Sequence, residues 1–189
     1  MFLGTPTAVM YPKLHDRIGF SRLSRTSRSP PLMTQEEFRR VCSRFATGVA
    51  VLTVADASGS PHGLTVNSFT SVSAVPPLVL VCVDNDCSLL PIFHAASHFG
   101  LSFLAEHQQD ISARFAFVPE RRFDGVDWSS GLNGVPLVNG ALGWLECRIQ
   151  QQIPAGDHVI LLGEVLNGDS RPDGDPLVYF GSGYRRLLP

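Results

Sequence analysis

Nine residues, Thr65-Val66-Asn67-Ser68-Phe69-Thr70-Ser71-Val72-Ser73, constrain this chain more than any other stretch. Six of the nine are hydroxyl or amide residues, a class normally exposed or placed in turns. Here they lie between apolar segments, and Val66, Phe69 and Val72 are spaced to hold the stretch against a core. Pro76 and Pro77 follow, then Leu78 to Val83, six apolar residues that read as a strand buried on both faces. A core-anchored wall of neutral donors and acceptors suits a planar, polar-edged ligand, phosphorylated or not. It suits equally a Ser/Thr-rich strand and loop bonding to itself, and composition leaves both readings open.

The rest of the chain supplies the frame. Thr34 and Glu37 form a capping-box pattern, and Phe38, Val41, Cys42 and Phe45 recur on one helical face, with Gly48 as the stop. Val49 to Ala55 and Gly63 to Phe69 read as a hairpin about the turn Asp56–Pro61. Leu89 to Ala96 and Gln108 to Phe117 have helical spacing, with Pro91 tolerable only in a first turn. Phe99 to Leu104 reads as a strand, and Pro119 to Val135 as a loop region. Gly143–Ile153 and His158–Leu166 are long strands about a tight turn, Pro154–Asp157, and Leu177–Phe180 is a last strand. Six or seven strands with hairpin-like connections and no βαβ alternation predict a mainly β fold with short helices, an antiparallel sheet closed as a barrel.

Composition excludes several classes. A length of 189 residues fits one domain with a sizeable core, and a net charge of −2 points to no nucleic acid or anionic membrane. No apolar run is long enough for a membrane helix. The four cysteines form no CxxC pair, and Cys42, Cys82 and Cys147 fall in apolar patterns that predict core, whereas Cys87 falls in a polar loop. Reduced thiols in a cytoplasmic protein account for them. His94 and His98 lack the third ligand of a metal site. No Rossmann fingerprint, Walker loop or EF-hand is present, and Gly168-Asp169-Ser170 lacks a hydrolase context. Residues 1–32 carry four arginines and one acid among many Ser, Thr and Pro. They read as a disordered extension, or as sequence ahead of a true start at Met33, and less well as a transit peptide. The domain itself is expected over 33–189.

From Thr34 to Leu187 the chain resembles the flavin reductase family, the small partner of two-component flavin monooxygenases. The resemblance rests on Phe45-Ala46-Thr47-Gly48-Val49, Gly63 to Ser73, Pro76 to Leu80 and Gln109 to Phe115. It continues through Arg122-Phe123, Gly156-Asp157-His158, Gly163-Glu164-Val165 and Gly181 to Tyr184, all in the family's order. It implies the FMN-binding split-barrel fold, an antiparallel split β-barrel. It also implies FMN or FAD as flavin, NADH or NADPH as hydride donor, a homodimer, and a flavin-dependent monooxygenase component as partner.

By the same resemblance Thr65, Val66, Asn67, Ser68 and Thr70 meet the isoalloxazine edge, and Ser71, Val72 and Ser73 continue that wall. The flavin phosphate falls near Asn85-Asp86-Cys87-Ser88, with Arg114 as a charged partner, and Ser102 and Phe103 fall close to the flavin. Gly156, Asp157 and His158 face the nicotinamide side, where His158 hydrogen-bonds or closes the pocket, and Tyr184 lies near the nicotinamide nucleotide. Each has an ordinary reading too: Arg114 as a surface helix arginine, His158 as a strand-end residue bonding its own turn, Tyr184 as a barrel-closing aromatic. Two positions depart from the pattern. Ser102 stands where relatives usually carry Asn, and Leu89 where they often carry Ser or Thr. With Asp84 and Asp86 beside the loop, these departures bear on flavin affinity and on FMN against FAD. The expected activity is NAD(P)H-dependent flavin reduction; the alternative is a flavin carrier or sensor without turnover.

Overall fold

The structure, a computed structural model, describes residues 33–187. The expectations for residues 1–32 lie outside them. Thr34 starts helix α1 (Gln35–Cys42): its hydroxyl accepts from the Glu37 N–H at 3.2 Å, and the Glu37 carboxylate accepts from the Thr34 N–H at 2.9 Å. The helix stops at Cys42, earlier than Gly48; Ser43 caps it, its hydroxyl donating to the Arg40 carbonyl at 2.8 Å. The apolar face of α1 is not core. Phe38 and Val41 are more than half exposed, and Cys42, expected inside, is exposed as well. Periodicity identified an apolar face but not what covers it.

The strands follow as β1 (Thr47–Gly48), β2 (Ala50–Ala55), β3 (Pro61–Val66), β4 (Thr70–Ala74), β5 (Pro77–Asp84) and β6 (His98–Phe103). Then come β7 (Trp128–Ser130), β8 (Pro136–Val138), β9 (Gly143–Ala155), β10 (His158–Ser170), β11 (Val178–Phe180) and β12 (Gly183–Arg185). Helices α2 (Leu90–Ala95) and α3 (Gln109–Phe117) flank β6 in sequence. Seven strands form one antiparallel sheet in the order β3-β2-β6-β9-β10-β5-β4.

That order dictates a barrel. Seven strands laid flat would hold the two edges about 29 Å apart, at about 4.8 Å per neighbour. The edges are β3 and β4, which are consecutive in the chain and separated only by Asn67, Ser68 and Phe69. Such a link spans about 15 Å at most. The sheet curls until its edges face each other, yet they do not pair, so the barrel is split at this seam. At the seam the Ser68 hydroxyl accepts from the Cys82 N–H at 2.9 Å and donates to the Cys82 carbonyl at 3.2 Å. One side chain thus takes the place of a neighbouring strand beyond the end of the β4–β5 ladder.

Inside the barrel Leu52, Val54, Val81, Phe99, Leu101, Cys147 and Leu161 are fully buried, and α2 plugs it with Phe93. Gly163 lets β10 cross the Phe99 ring: a Cβ there would sit 2.5 Å from the ring. A second cluster, Val49, Val51, Leu104, Phe115, Phe123, Val138 and Leu177, packs α3 on the outside. Strand β5 is not buried on both faces. Val79, Val81 and Val83 point into the barrel, while Leu78, Leu80 and Cys82 point out and are half-buried, because a barrel wall has only one inside. The segment read as loop before Val135 contains β7, which pairs with β8.

Candidate functional site

Two adjoining depressions open at the seam, of about 280 Å³ and 220 Å³. Val49, Val66 and Asn67 line both, so the start of the polar segment forms the wall between them. The larger is mostly apolar, with Phe69, Phe103 and Leu142 beside Thr47. Phe69 and Phe103 meet edge to face with centroids 4.8 Å apart. The smaller is lined by Thr65, Ser112, Phe117, Tyr179 and Tyr184.

The hydroxyls of this region are not equally free. Thr65 donates to the Ser112 carbonyl at 2.6 Å, and the Ser112 and Tyr184 hydroxyls share a bond of 2.8 Å. Ser68 is committed to the Cys82 backbone. Thr47 is the opposite case: its hydroxyl is enclosed and has no hydrogen-bond partner among the described residues. Asn67 is exposed, as are Thr70 and Ser71 on β4; Ser73 is half-buried and accepts from the Val75 N–H at 3.3 Å. Val72 was expected to anchor the segment. It is 47% exposed, because it falls in a bulge between Ser71 and Ser73 that turns it away from the core.

A second group gathers at the tip of the β9–β10 hairpin. Gly156 adopts a positive φ of 67°, which the tight turn requires. The Asn85 N–H donates to the Asp157 carbonyl at 2.9 Å, and its amide donates to the Gly156 carbonyl at 3.3 Å. The Asn85–Ser88 loop and Gly156-Asp157-His158 are therefore brought together. Asp157 accepts from His158 Nδ1 at 2.8 Å. A carboxylate only accepts, so Nδ1 carries the hydrogen, and a neutral His158 presents Nε2 as an acceptor. This bond, more than the charge of His158 or Arg39, lowers the Asp157 carboxyl from its ordinary value. Cys87 is half-buried against the barrel core, and Ser88 is exposed.

Of the expected residues, Thr65, Val66, Asn67, Phe103 and Tyr184 line the two depressions; Gly156, Asp157, His158 and Arg114 line neither. Arg114 is half-buried on α3 and makes no ion pair among the described residues. Ser102 is the expectation the structure moves. It is fully buried, and its hydroxyl accepts from the Val138 N–H at 3.0 Å, so it holds β8 to β6 and faces away from the seam. Among the polar residues that line them, Thr47, Ser112 and Tyr179 were missed. Ser112 had a readable signal: a hydroxyl three residues before Phe115, on the buried side of α3.

Residues 42–188 match the family described as flavin reductase like domain. An FMN reductase (NADH), SmoA, from Agrobacterium fabrum is 44% identical over 150 residues, which are 79% of this chain and 84% of that protein. A probable flavin reductase from Rhizobium meliloti is 45% identical over 138 residues, 70% of this chain, but the match spans only 44% of that relative's length. Among solved structures, the Streptomyces globisporus NADH:FAD oxidoreductase SgcE6, in complex with NAD and FAD fragments, superposes with a TM-score of 0.78. It is 40% identical, covering 82% of this chain and 93% of that one. The ordered motifs, the seam-split antiparallel barrel and these matches agree: the chain belongs to the flavin reductase-like family.

Proposed function

We propose that this chain is an NAD(P)H:flavin oxidoreductase that binds FMN or FAD at the barrel seam and delivers reduced flavin to a monooxygenase component. The observation that carries the reading is the seam itself. A Thr47 hydroxyl that is enclosed and unpartnered among the described residues and the exposed Asn67 line the same depression as the apolar rings of Phe69 and Phe103. An orphaned buried hydroxyl costs free energy unless a ligand meets it, and a flat ring with a polar edge fits that combination. Bound there, the flavin supplies the acceptor for a hydride from the reduced nicotinamide.

The chain's own work is binding and orientation. Thr65, Val66, Asn67 and Thr70 address the ring edge, while Ser68 fixes the segment and Ser71, Val72 and Ser73 continue along the β4 edge. Cys87 and Ser88 offer the phosphate loop, with Arg114 as counter-charge. Gly156 and Asp157 hold His158 so that Nε2 can accept from a carboxamide. NADH is the donor that the names of the relatives favour. The dimer is read from two apolar surfaces. Leu80 pairs in register with Leu162, and Cys82 with Ile160, on the outer barrel face; the bare face of α1 is the other. No helix among the described residues is long and apolar enough to cross a membrane, and a cytoplasmic enzyme is proposed.

Anaerobic stopped-flow absorbance tests the reading. Mixing protein, FMN or FAD, and NADH or NADPH should bleach the flavin band near roughly 450 nm rapidly for one pairing, since hydride reaches the ring directly. Flavin binding without bleaching would replace the reductase with the carrier; no binding at all would remove both.

A further inference from the structure

Ser112 is fully buried, and among the described residues its hydroxyl has one partner, the hydroxyl of Tyr184 at 2.8 Å. A buried donor left unused is costly. The economical arrangement has Ser112 spend its proton on Tyr184, which accepts it and keeps its own phenolic proton for the depression it lines. Thr65 is fixed the other way. Its proton goes to the Ser112 carbonyl at 2.6 Å, so toward the same depression its oxygen can only accept. One residue of α3 thereby sets the polarity of two neighbours, leaving a donor at Tyr184 beside an acceptor at Thr65.

From this we infer that the smaller depression reads an amide edge, a C=O beside an N–H, and that Ser112 is the positioning residue that imposes the order. Tyr184 donates to the carbonyl and Thr65 accepts from the N–H. Tyr179, whose ring meets Tyr184 edge to face at 5.6 Å, and Phe117, 81% exposed at the rim, enclose the flat group. The inference rests on the reductase reading. Within that reading two groups carry such an edge: the pyrimidine side of the flavin, through N3–H and a ring carbonyl, and the carboxamide of the nicotinamide.

Two analogues separate the sources. 3-Methyl-FMN lacks the flavin N–H, and 3-acetylpyridine adenine dinucleotide lacks the carboxamide N–H. The wild-type protein should discriminate by about tenfold or more against one of them, by affinity for the flavin analogue or by KM for the reduced dinucleotide analogue, because a site built to pair an N–H rejects a ligand lacking it. Thr65→Val should abolish that discrimination. Ser112→Ala should weaken the parent ligand by severalfold while the preference for the N–H persists, and Ser112→Thr, which keeps the hydroxyl, should restore the affinity, as expected if the residue acts through Tyr184. Tyr184→Phe is the second variant should Ser112→Ala fold poorly: it should weaken the parent ligand by about tenfold while keeping the preference for the N–H. Full discrimination persisting in Thr65→Val overturns the inference, as does a wild type indifferent to both analogues. If the wild type reduces flavin with NADH and yet shows that indifference, the reductase reading stands and only the amide edge falls. If it binds neither flavin nor nucleotide, both fall.

Discussion

The seam and the hairpin tip are built from similar residue types and held in opposite ways. At the seam, side chains make the structure. Ser68 replaces a strand for Cys82, and Thr65 and Tyr184 are tied to one residue of α3. At the tip, backbone carbonyls make the structure: Asp157 and Gly156 are held by Asn85 through their C=O groups, while among the described residues the His158 side chain bonds only its neighbour Asp157, and it is 39% exposed. Substitution at the seam should therefore strike stability first, and substitution at the tip should strike kinetics first.

The hardest test of that contrast is Ser68→Ala. It strips both partners from the Cys82 backbone and should cost about 2 kcal/mol in urea unfolding; a loss under roughly 0.5 kcal/mol, the usual scale of a surface change, would erase the difference between the regions. Next is His158→Ala, which should keep unfolding free energy and flavin affinity close to wild type while slowing NADH-dependent reduction at subsaturating NADH by about tenfold, about 1.4 kcal/mol. An unchanged rate would take His158 out of the site. Asn85→Ala loosens the tip through a single exposed amide bond. We expect about 0.5 kcal/mol or less in stability and a KM for NADH raised no more than a few fold.

The smallest effect is on pH. His158 holds the Asp157 carboxyl below its ordinary value of 3.8. A depressed carboxylate contributes fully above that value, and the contribution is lost as pH falls through the lower folded value. Asp157→Asn should then lose this small contribution near neutrality and converge on wild type in acid, read by urea unfolding across the pH range. The thiols add a check on the barrel interior. Burial, helped by the charge of Glu146, pushes Cys147 up to about 12, so it should resist alkylation at pH values where exposed Cys42 reacts.

The frame was legible because its signals are local. The capping box of α1, the spacing of α3 and the β9–β10 hairpin with its glycine turn all sit where the sequence places them. The split barrel is confirmed by the fold of the relatives. What could not be read depends on partners distant in the chain. Whether Ser68 faces a ligand or Cys82, and whether Ser102 faces the seam or Val138, is decided by strands 14 and 36 residues away. Both are serines in β-rich context, and nothing adjacent distinguishes them. The outward half of β5 was hidden for a related reason: Leu and Val occupy both faces, so the period-two signal is absent until the barrel assigns an inside.

The seam has one further effect, on how these molecules behave in a crowd. An open seven-stranded sheet offers two edges, each a row of unpaired N–H and C=O groups able to recruit a strand from another chain. Here the two edges are consecutive strands bent toward one another, and where the ladder runs out a serine occupies the vacant positions on Cys82. Among the described residues the two terminal edges of this sheet are therefore turned toward one another and not left side by side with solvent for another chain to extend. Ser68→Ala should reveal this protection as a lower concentration threshold for aggregation on warming, followed by light scattering.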